Sequence, residues 1–196
     1  MGTSRNIGPG EIQAALTRLA AAISERHRGE KPLLLLGIAN GGVELARRLA
    51  RRLSAAGRPK PPNGARPFSV CAGTIDISFH RDDIGRHPVP KEFAPTHIPA
   101  DVHGATVILV DDVLFTGRTV KAALDELFDH GRPAKVELAI LVDRGGRRMP
   151  VAADYCGLTV AAGDNEKVVV HLDPTNFKRD SIRIEPMGAA VGHSPR

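Results

Sequence analysis

The chain has 196 residues, 42% of them apolar, enough for one sizeable core and too few for a second independent one. Aromatics amount to only 4%, with no Trp and one Tyr, so that core has to be aliphatic, and no apolar run approaches the roughly 20 residues of a membrane span. The start MGTSRNIGPG lacks the basic-then-apolar order of a secretion signal, while a net charge of +5 favours acidic partners, phosphorylated metabolites or nucleic acid, without choosing between them.

In chain order, residues 1–10 read as a flexible lead-in. Ile12, Leu16, Leu19 and Ile23 then recur at helical spacing and define one apolar face of a helix over 11–28, ending near Gly29. Leu33-Leu34-Leu35-Leu36-Gly37-Ile38 is short, continuously apolar and preceded by Pro32, the pattern of a strand buried on both faces. A second helix is expected from about Val43 to Leu53, with Leu45, Ala46, Leu49, Ala50 and Leu53 inward. Arg47, Arg48, Arg51 and Arg52 share its other side, either as a solvated face or as a basic surface for RNA. Ser54 to Pro67 is a Gly/Pro/Arg connection, and Phe68 to Phe79 reads as a strand with Ile75 and Ile77 alternating against Asp76 and Ser78. Arg81 to Pro99 is polar, proline-rich and aperiodic, and a loop of that length inside a compact domain is usually functional or mobile.

A strand over 106–112 comes next, then a turn and a helix from about Arg118 to His130 whose apolar positions are Val120, Leu124, Leu127 and Phe128. Gly131 and Pro133 stop it. Val136 to Val142 is another buried strand, followed by Asp143-Arg144-Gly145, and Lys167–Leu172 and Ser181–Ile184 supply two late strands. The expected fold is α/β, a mainly parallel central sheet flanked by helices, in a single domain over 11–186 with a flexible tail at 187–196. Cys71 and Cys156, far apart in β-like surroundings, read as buried core thiols in a reducing, cytoplasmic compartment.

Open α/β sheets bind ligands beyond the carboxyl ends of their strands. Two loops at such ends look specialised. Ala39-Asn40-Gly41-Gly42 lets the backbone approach an anion at a helix N-terminus, although a plain tight turn explains it equally well. The second, VILVDDVLFTGRTV (107–120), runs a core strand into two adjacent aspartates and then Thr116-Gly117-Arg118-Thr119. Hydroxyls, backbone amides and the helix dipole make a phosphate cup there. Asp111 and Asp112, which when ionised only accept hydrogen bonds, suit a vicinal diol such as ribose. Cup and clamp together fit a ribose 5-phosphate. The alternative, that Asp112 and Thr119 merely cap the helix, would need one such residue, not the full set. There is no G-x-x-x-x-G-K-[ST] and no G-x-G-x-x-G after a strand.

VILVDDVLFTGRT resembles the 5-phosphoribosyl 1-diphosphate signature of type I phosphoribosyltransferases. With EIQAALTRLA, TIDISFHRDD, LDELFDHGRP, LVDRGGRRMPVAADYCG and EKVVVHLD, the chain is similar from about 11 to 185 to the family of bifunctional pyrimidine-operon regulators and uracil phosphoribosyltransferases, PyrR. The resemblance implies that fold, with a small hood, and transfer of ribose 5-phosphate from the diphosphate donor to uracil, giving UMP and pyrophosphate. It implies Mg2+ without a direct protein ligand, a homo-dimer or tetramer, and binding of an mRNA leader. Asp111 and Asp112 would hold the ribose hydroxyls, and Val113, Leu114, Phe115, Thr116, Gly117, Arg118 and Thr119 would wrap the 5-phosphate. Ala39, Asn40, Gly41 and Gly42 would form the pyrophosphate loop, with Arg81 reaching the leaving group as the third catalytic residue beside the two aspartates. Arg144 and Val168 would line the base pocket, and Thr17, Arg147 and Arg148 would contact RNA.

The chain also departs from that family's pattern. Asn40-Gly41-Gly42 stands where T-R-G is usual, Ala21 where a His is usual, and Val151-Ala152-Ala153 where I-R-A is usual. Each phosphate contact made by a basic side chain adds about one unit of salt slope. Fewer cations on the expected RNA surface therefore argue against hairpin recognition of the family's kind, although the arginines of the 43–53 helix and the 54–67 loop could compensate.

Overall fold

The computed structural model describes residues 5–27, 33–55, 70–78, 80 and 95–187. Five parallel strands form the central sheet in the order β3-β2-β4-β5-β6: β2 (Leu33–Ile38), β3 (Val70–Ile75), β4 (Thr106–Leu114), β5 (Lys135–Asp143) and β6 (Tyr155–Thr159). Along β2 and β4 the side chains alternate between two cores. Leu33, Leu35, Ile108 and Val110 join the apolar faces of α1 (Pro9–Arg26) and α2 (Gly41–Ala55). Leu34, Leu36, Val107 and Leu109 join α3 (Arg118–Asp129) on the opposite face. An unbroken aliphatic run is what a strand needs when both its faces are covered.

From β2 the chain crosses through α2 to β3 on one side, whereas β4, α3 and β5 build outward on the other. The strand order therefore reverses between β2 and β4, and this reversal opens the crevice in which such sheets bind ligands.

A second, antiparallel sheet in the order β1-β8-β7 forms the hood, from β1 (Arg5–Ile7), β7 (Glu166–His171) and β8 (Ser181–Pro186). Part of the lead-in expected to be loose over 1–10 is thus a strand, paired from Arg5↔Ile184 to Ile7↔Ile182, and α1 already begins at Pro9. The two late strands belong to this hood and not to the parallel sheet.

Arg48 does not share a solvated face. It is buried, ion-paired with Glu44 and Asp180, and its guanidinium also donates to the Asp173 carbonyl, because the 173–180 segment lies over that side of α2. Phe128 is 41% exposed beneath the Arg132 guanidinium, and the small side chains of Ala122 and Ala123 face the core instead. Asp76 is buried together with Ile75 and Ile77, its carboxylate accepting from Ser78 N and Oγ, so no alternation survives there. Cys71 is half-buried and Cys156 exposed, both as free thiols, because each sits on a strand at an edge of the sheet. Arg81, most of the two long loops and the tail lie outside the described residues. Among those described, no helix is long and apolar enough to cross a membrane.

At the amino end of the sheet, away from the crevice, Glu137 is buried among His27 (2.7 Å), the Tyr155 hydroxyl (2.7 Å), Lys135 (2.7 Å) and Arg26 (3.1 Å). Burial alone would raise its carboxyl, but hydrogen bonds from Lys135, Tyr155 and His27 more than offset that and hold it at about 2.

Candidate active site

β2 accompanies β4 only as far as Gly37↔Val110, while β5 continues beside β4 to Leu114↔Asp143. Asp111 and Asp112 therefore lie inside the strand, which runs two residues beyond its expected end, and from Asp111 onward the β2 side of β4 is open. The 39–42 loop turns into that opening. A Cβ on Gly41 would collide with the Asp112 carboxylate, and one on Gly42 with the Val110 carbonyl, so only glycines let the loop lie this close. Ala39 N donates to Ile75 O at 2.9 Å, and the Ala39–Asn40 peptide is cis. The two loops picked out in the sequence are thus in direct contact.

Asp111 is buried and accepts from Asp112 N at 3.0 Å; Asp112 is half-buried. Burial, and then the neighbouring Asp112 charge, push the Asp111 carboxyl well above the ordinary carboxylate range. Burial also raises Asp112, against the pull of backbone N–H groups. Hydroxyl donors or a cation beside the pair would favour its ionised form.

Gly117 is the N-cap of α3, at φ +92°, a conformation costly for any residue with a Cβ, and the N-cap position itself supplies no side-chain cap. A mere capping role for Asp112 or Thr119 is therefore not what the geometry contains. Thr116 Oγ1 accepts from Arg118 N at 3.4 Å, and Arg118 and Thr119 are exposed at the start of the helix, whose N–H groups and dipole attract an anion.

Behind this turn lies the segment following β5. Arg144 N donates to Leu114 O, and Arg148 N and Met149 N both donate to Thr116 O, at 3.0–3.2 Å. The Arg144 guanidinium stacks 3.8 Å over the Phe115 ring and donates to the carbonyls of Glu166 (2.9 Å) and Gly163 (3.2 Å), tying the turn to the hood. Val168, two residues further along β7, is half-buried against the core. Thr17 is exposed on α1 with its hydroxyl on Gln13 O, and Arg148 is exposed, but the Arg147 guanidinium is turned inward onto backbone carbonyls and Asp143. The sequence reading did not single out Asp143 or Met149. The signal for Asp143 is the Asp143-Arg144-Gly145 that follows a buried strand, and nothing local marks Met149.

A separate cluster of His80, Glu126 and Asp129 could hold a metal ion, but it sits in the last turns of α3, at the end away from the Thr116–Thr119 turn. There Glu126 accepts from His80 Nε2 at 3.0 Å and Thr96 Oγ1 at 2.8 Å, fastening both ends of the long connection between β3 and β4.

Residues 8–174 match the phosphoribosyl transferase domain family. The chain is 40% identical over 193 residues to Bifunctional protein PyrR of Roseiflexus sp. strain RS-1, covering 98% of this chain and 100% of that one. To Bifunctional protein PyrR of Streptomyces coelicolor it is 45% identical over 189 residues, covering 96% and 92%. Among solved structures, the hypoxanthine phosphoribosyltransferase of Trypanosoma cruzi superposes with a TM-score of 0.64 over 91% of this chain and 94% of that one; at 21% identity it speaks for the fold alone. The chain belongs to the type I phosphoribosyltransferases and, among them, to the PyrR family.

Proposed function

We propose that this protein transfers ribose 5-phosphate from 5-phosphoribosyl 1-diphosphate to uracil, releasing pyrophosphate and forming UMP, and that it also regulates a pyrimidine operon. The observation that carries the reading is the contact between two segments that follow different strands: Asp111-Asp112 at the end of β4 with the Thr116–Thr119 turn just after it, and Gly41-Gly42 at the start of α2, just after β2. One molecule with a vicinal diol between a monophosphate and a diphosphate matches that layout.

In this reading the Asp111 and Asp112 carboxylates accept hydrogen bonds from the two ribose hydroxyls. The 5-phosphate rests against the backbone from Val113 to Thr119, and the diphosphate against Ala39–Gly42. The C1–oxygen bond breaks with its electron pair leaving on pyrophosphate, and a ring nitrogen of the base bonds to C1 as its proton passes to water or the departing pyrophosphate. No covalent nucleophile is required, so orientation and charge stabilisation do the catalytic work. The Asp111 and Asp112 carboxylates, hard oxygen donors beside the place of the diol, suit a hard cation nearby. Mg2+ bound largely through the donor's own oxygens would neutralise charge on the leaving group. In the same reading Arg144, which stacks on Phe115 and bonds to the hood, lines the base site with Val168.

Uracil is favoured by the resemblance of the 141–157 and 166–173 segments to the PyrR family. The test is pyrophosphate release with donor, Mg2+ and each nucleobase in turn. Release with uracil is expected, and release only with a purine would overturn the acceptor.

A second reading, a UMP-sensing RNA-binding attenuator with weak catalysis, draws on the net charge of +5 and on exposed Thr17, Arg47, Arg51 and Arg148. Salt-dependent retention of a pyrimidine-operon leader, strengthened by UMP, would favour it. Equal affinity for any RNA would count against it.

A further inference from the structure

The resemblance offers Arg147 as an RNA contact, but its guanidinium faces the turn. Nη1 donates to Phe115 O at 2.8 Å, Leu114 O at 3.1 Å and Gly145 O at 3.3 Å, and Nη2 pairs with the Asp143 carboxylate. Only 23% of the side chain is exposed. We infer that Arg147 is a positioning residue for the anion-binding turn, holding the Leu114 and Phe115 carbonyls back so that the N–H groups of the residues after them stay aimed at the ligand. This rests on the reading of 113–119 as the 5-phosphate turn, and deepens it.

A peptide unit points its N–H and its C=O in opposite directions, so a run of residues that aims N–H groups at an anion must aim its carbonyls away. Those carbonyls then need donors on the far side. Thr116 O receives the backbone N–H groups of Arg148 and Met149, and Leu114 O that of Arg144. Arg147 supplies Phe115 O and a second donor to Leu114 O. Such support matters here because the turn ends in Gly117, whose backbone is the least restricted and which has no side chain to cap α3. The fork of a guanidinium can span several carbonyls and a carboxylate at once, which a lysine ammonium does not reproduce. Asp143 balances the charge, so the role is orientation and not long-range attraction.

The experiment compares wild type with Arg147→Ala and Arg147→Lys in the full chain, by steady-state rates over donor and base, by melting temperature, and by calorimetry with ribose 5-phosphate. Loss of charge-assisted bonds predicts a donor KM raised roughly tenfold or more in Arg147→Ala, with a base KM within about twofold and kcat falling less than the donor KM rises. Arg147→Lys recovers little of this, and free guanidinium ion restores donor affinity to Arg147→Ala but not to wild type. Calorimetry follows the same order and needs no turnover. An unchanged donor KM and ribose 5-phosphate affinity in Arg147→Ala overturns the inference, whether or not RNA binding is lost, as does an equal loss for donor and base with a lower melting temperature. If wild type binds ribose 5-phosphate but transfers it to no base, the proposed reaction fails while calorimetry still decides the role of Arg147. If wild type does not bind ribose 5-phosphate, both fail.

Discussion

Asp111 illustrates how a candidate site residue can oppose the fold that carries it. Its carboxyl is buried, lies next to Asp112, and is pushed well above the usual carboxylate range by burial first and the neighbouring charge second. Because the folded form holds its proton more tightly than the unfolded chain, the native state loses stability as pH rises through that raised value, and the cost is fully present above it. Asp111→Asn keeps an Oδ1 acceptor for Asp112 N while removing the charge. The variant should therefore gain about 1 kcal/mol or more at pH 7, a melting point higher by roughly 2–4 °C per kcal/mol for a chain of this size. The gain should shrink towards pH 4, where the wild-type carboxyl is protonated as well. Melts of the ligand-free protein across pH 4–8 check this, and a lower melting point at pH 7 would contradict the charge argument. The same change should weaken donor binding, the trade expected where a site is kept at a cost to stability.

Among the elements, the amino end of the sheet shows the opposite sign. Glu137 joins the end of α1, through Arg26 and His27, to β5 and to Tyr155 of β6. Held at about 2 by Lys135, Tyr155 and His27 against its burial, it stabilises the fold above its ordinary value near 4.5, and that contribution is lost as pH falls through about 2. Glu137→Gln leaves its cationic partners and the Tyr155 hydroxyl without their carboxylate, and should cost about 3–5 kcal/mol at neutral pH in chemical denaturation. A variant with unchanged midpoint and slope would refute the network's role.

These elements also mark how far local pattern could be read. β2, β4 and β5 announce themselves as aliphatic runs because both of their faces are buried. β6 reads Tyr-Cys-Gly-Leu-Thr, with only Tyr155 and Gly157 buried, and has no such run. β1 is three residues whose strand character comes from β8, and Arg48 turns inward only because Asp180, 132 residues away, meets it. The Thr116–Thr119 turn and the paired acids are legible as a candidate site because they are contiguous in sequence. The backing of the turn by Arg147 and the contact of Gly41 with Asp112 were not, since each joins segments that only the fold brings together.

For the whole molecule, the reversal of strand order between β2 and β4 decides what one ligand can do. The 39–42 loop and the 113–119 turn belong to different strands, yet they meet at Asp112. A donor carrying its monophosphate and its diphosphate on one sugar would engage both loops and tie them together, and linking two binding events makes the second effectively intramolecular. Ribose 5-phosphate or pyrophosphate alone engages one loop each. At 100 times its dissociation constant a ligand adds about 2.7 kcal/mol to stability, roughly 5–11 °C in melting temperature for a chain of this length. At equal concentrations with Mg2+, 5-phosphoribosyl 1-diphosphate should therefore raise the melting temperature by more than the two fragments do together. A donor shift equal to that of ribose 5-phosphate alone would mean that the Gly41-Gly42 loop takes no part. Asn40-Gly41-Gly42, which lacks the arginine usual in the family at this point, would then be a remnant of the fold with no grip on the leaving group.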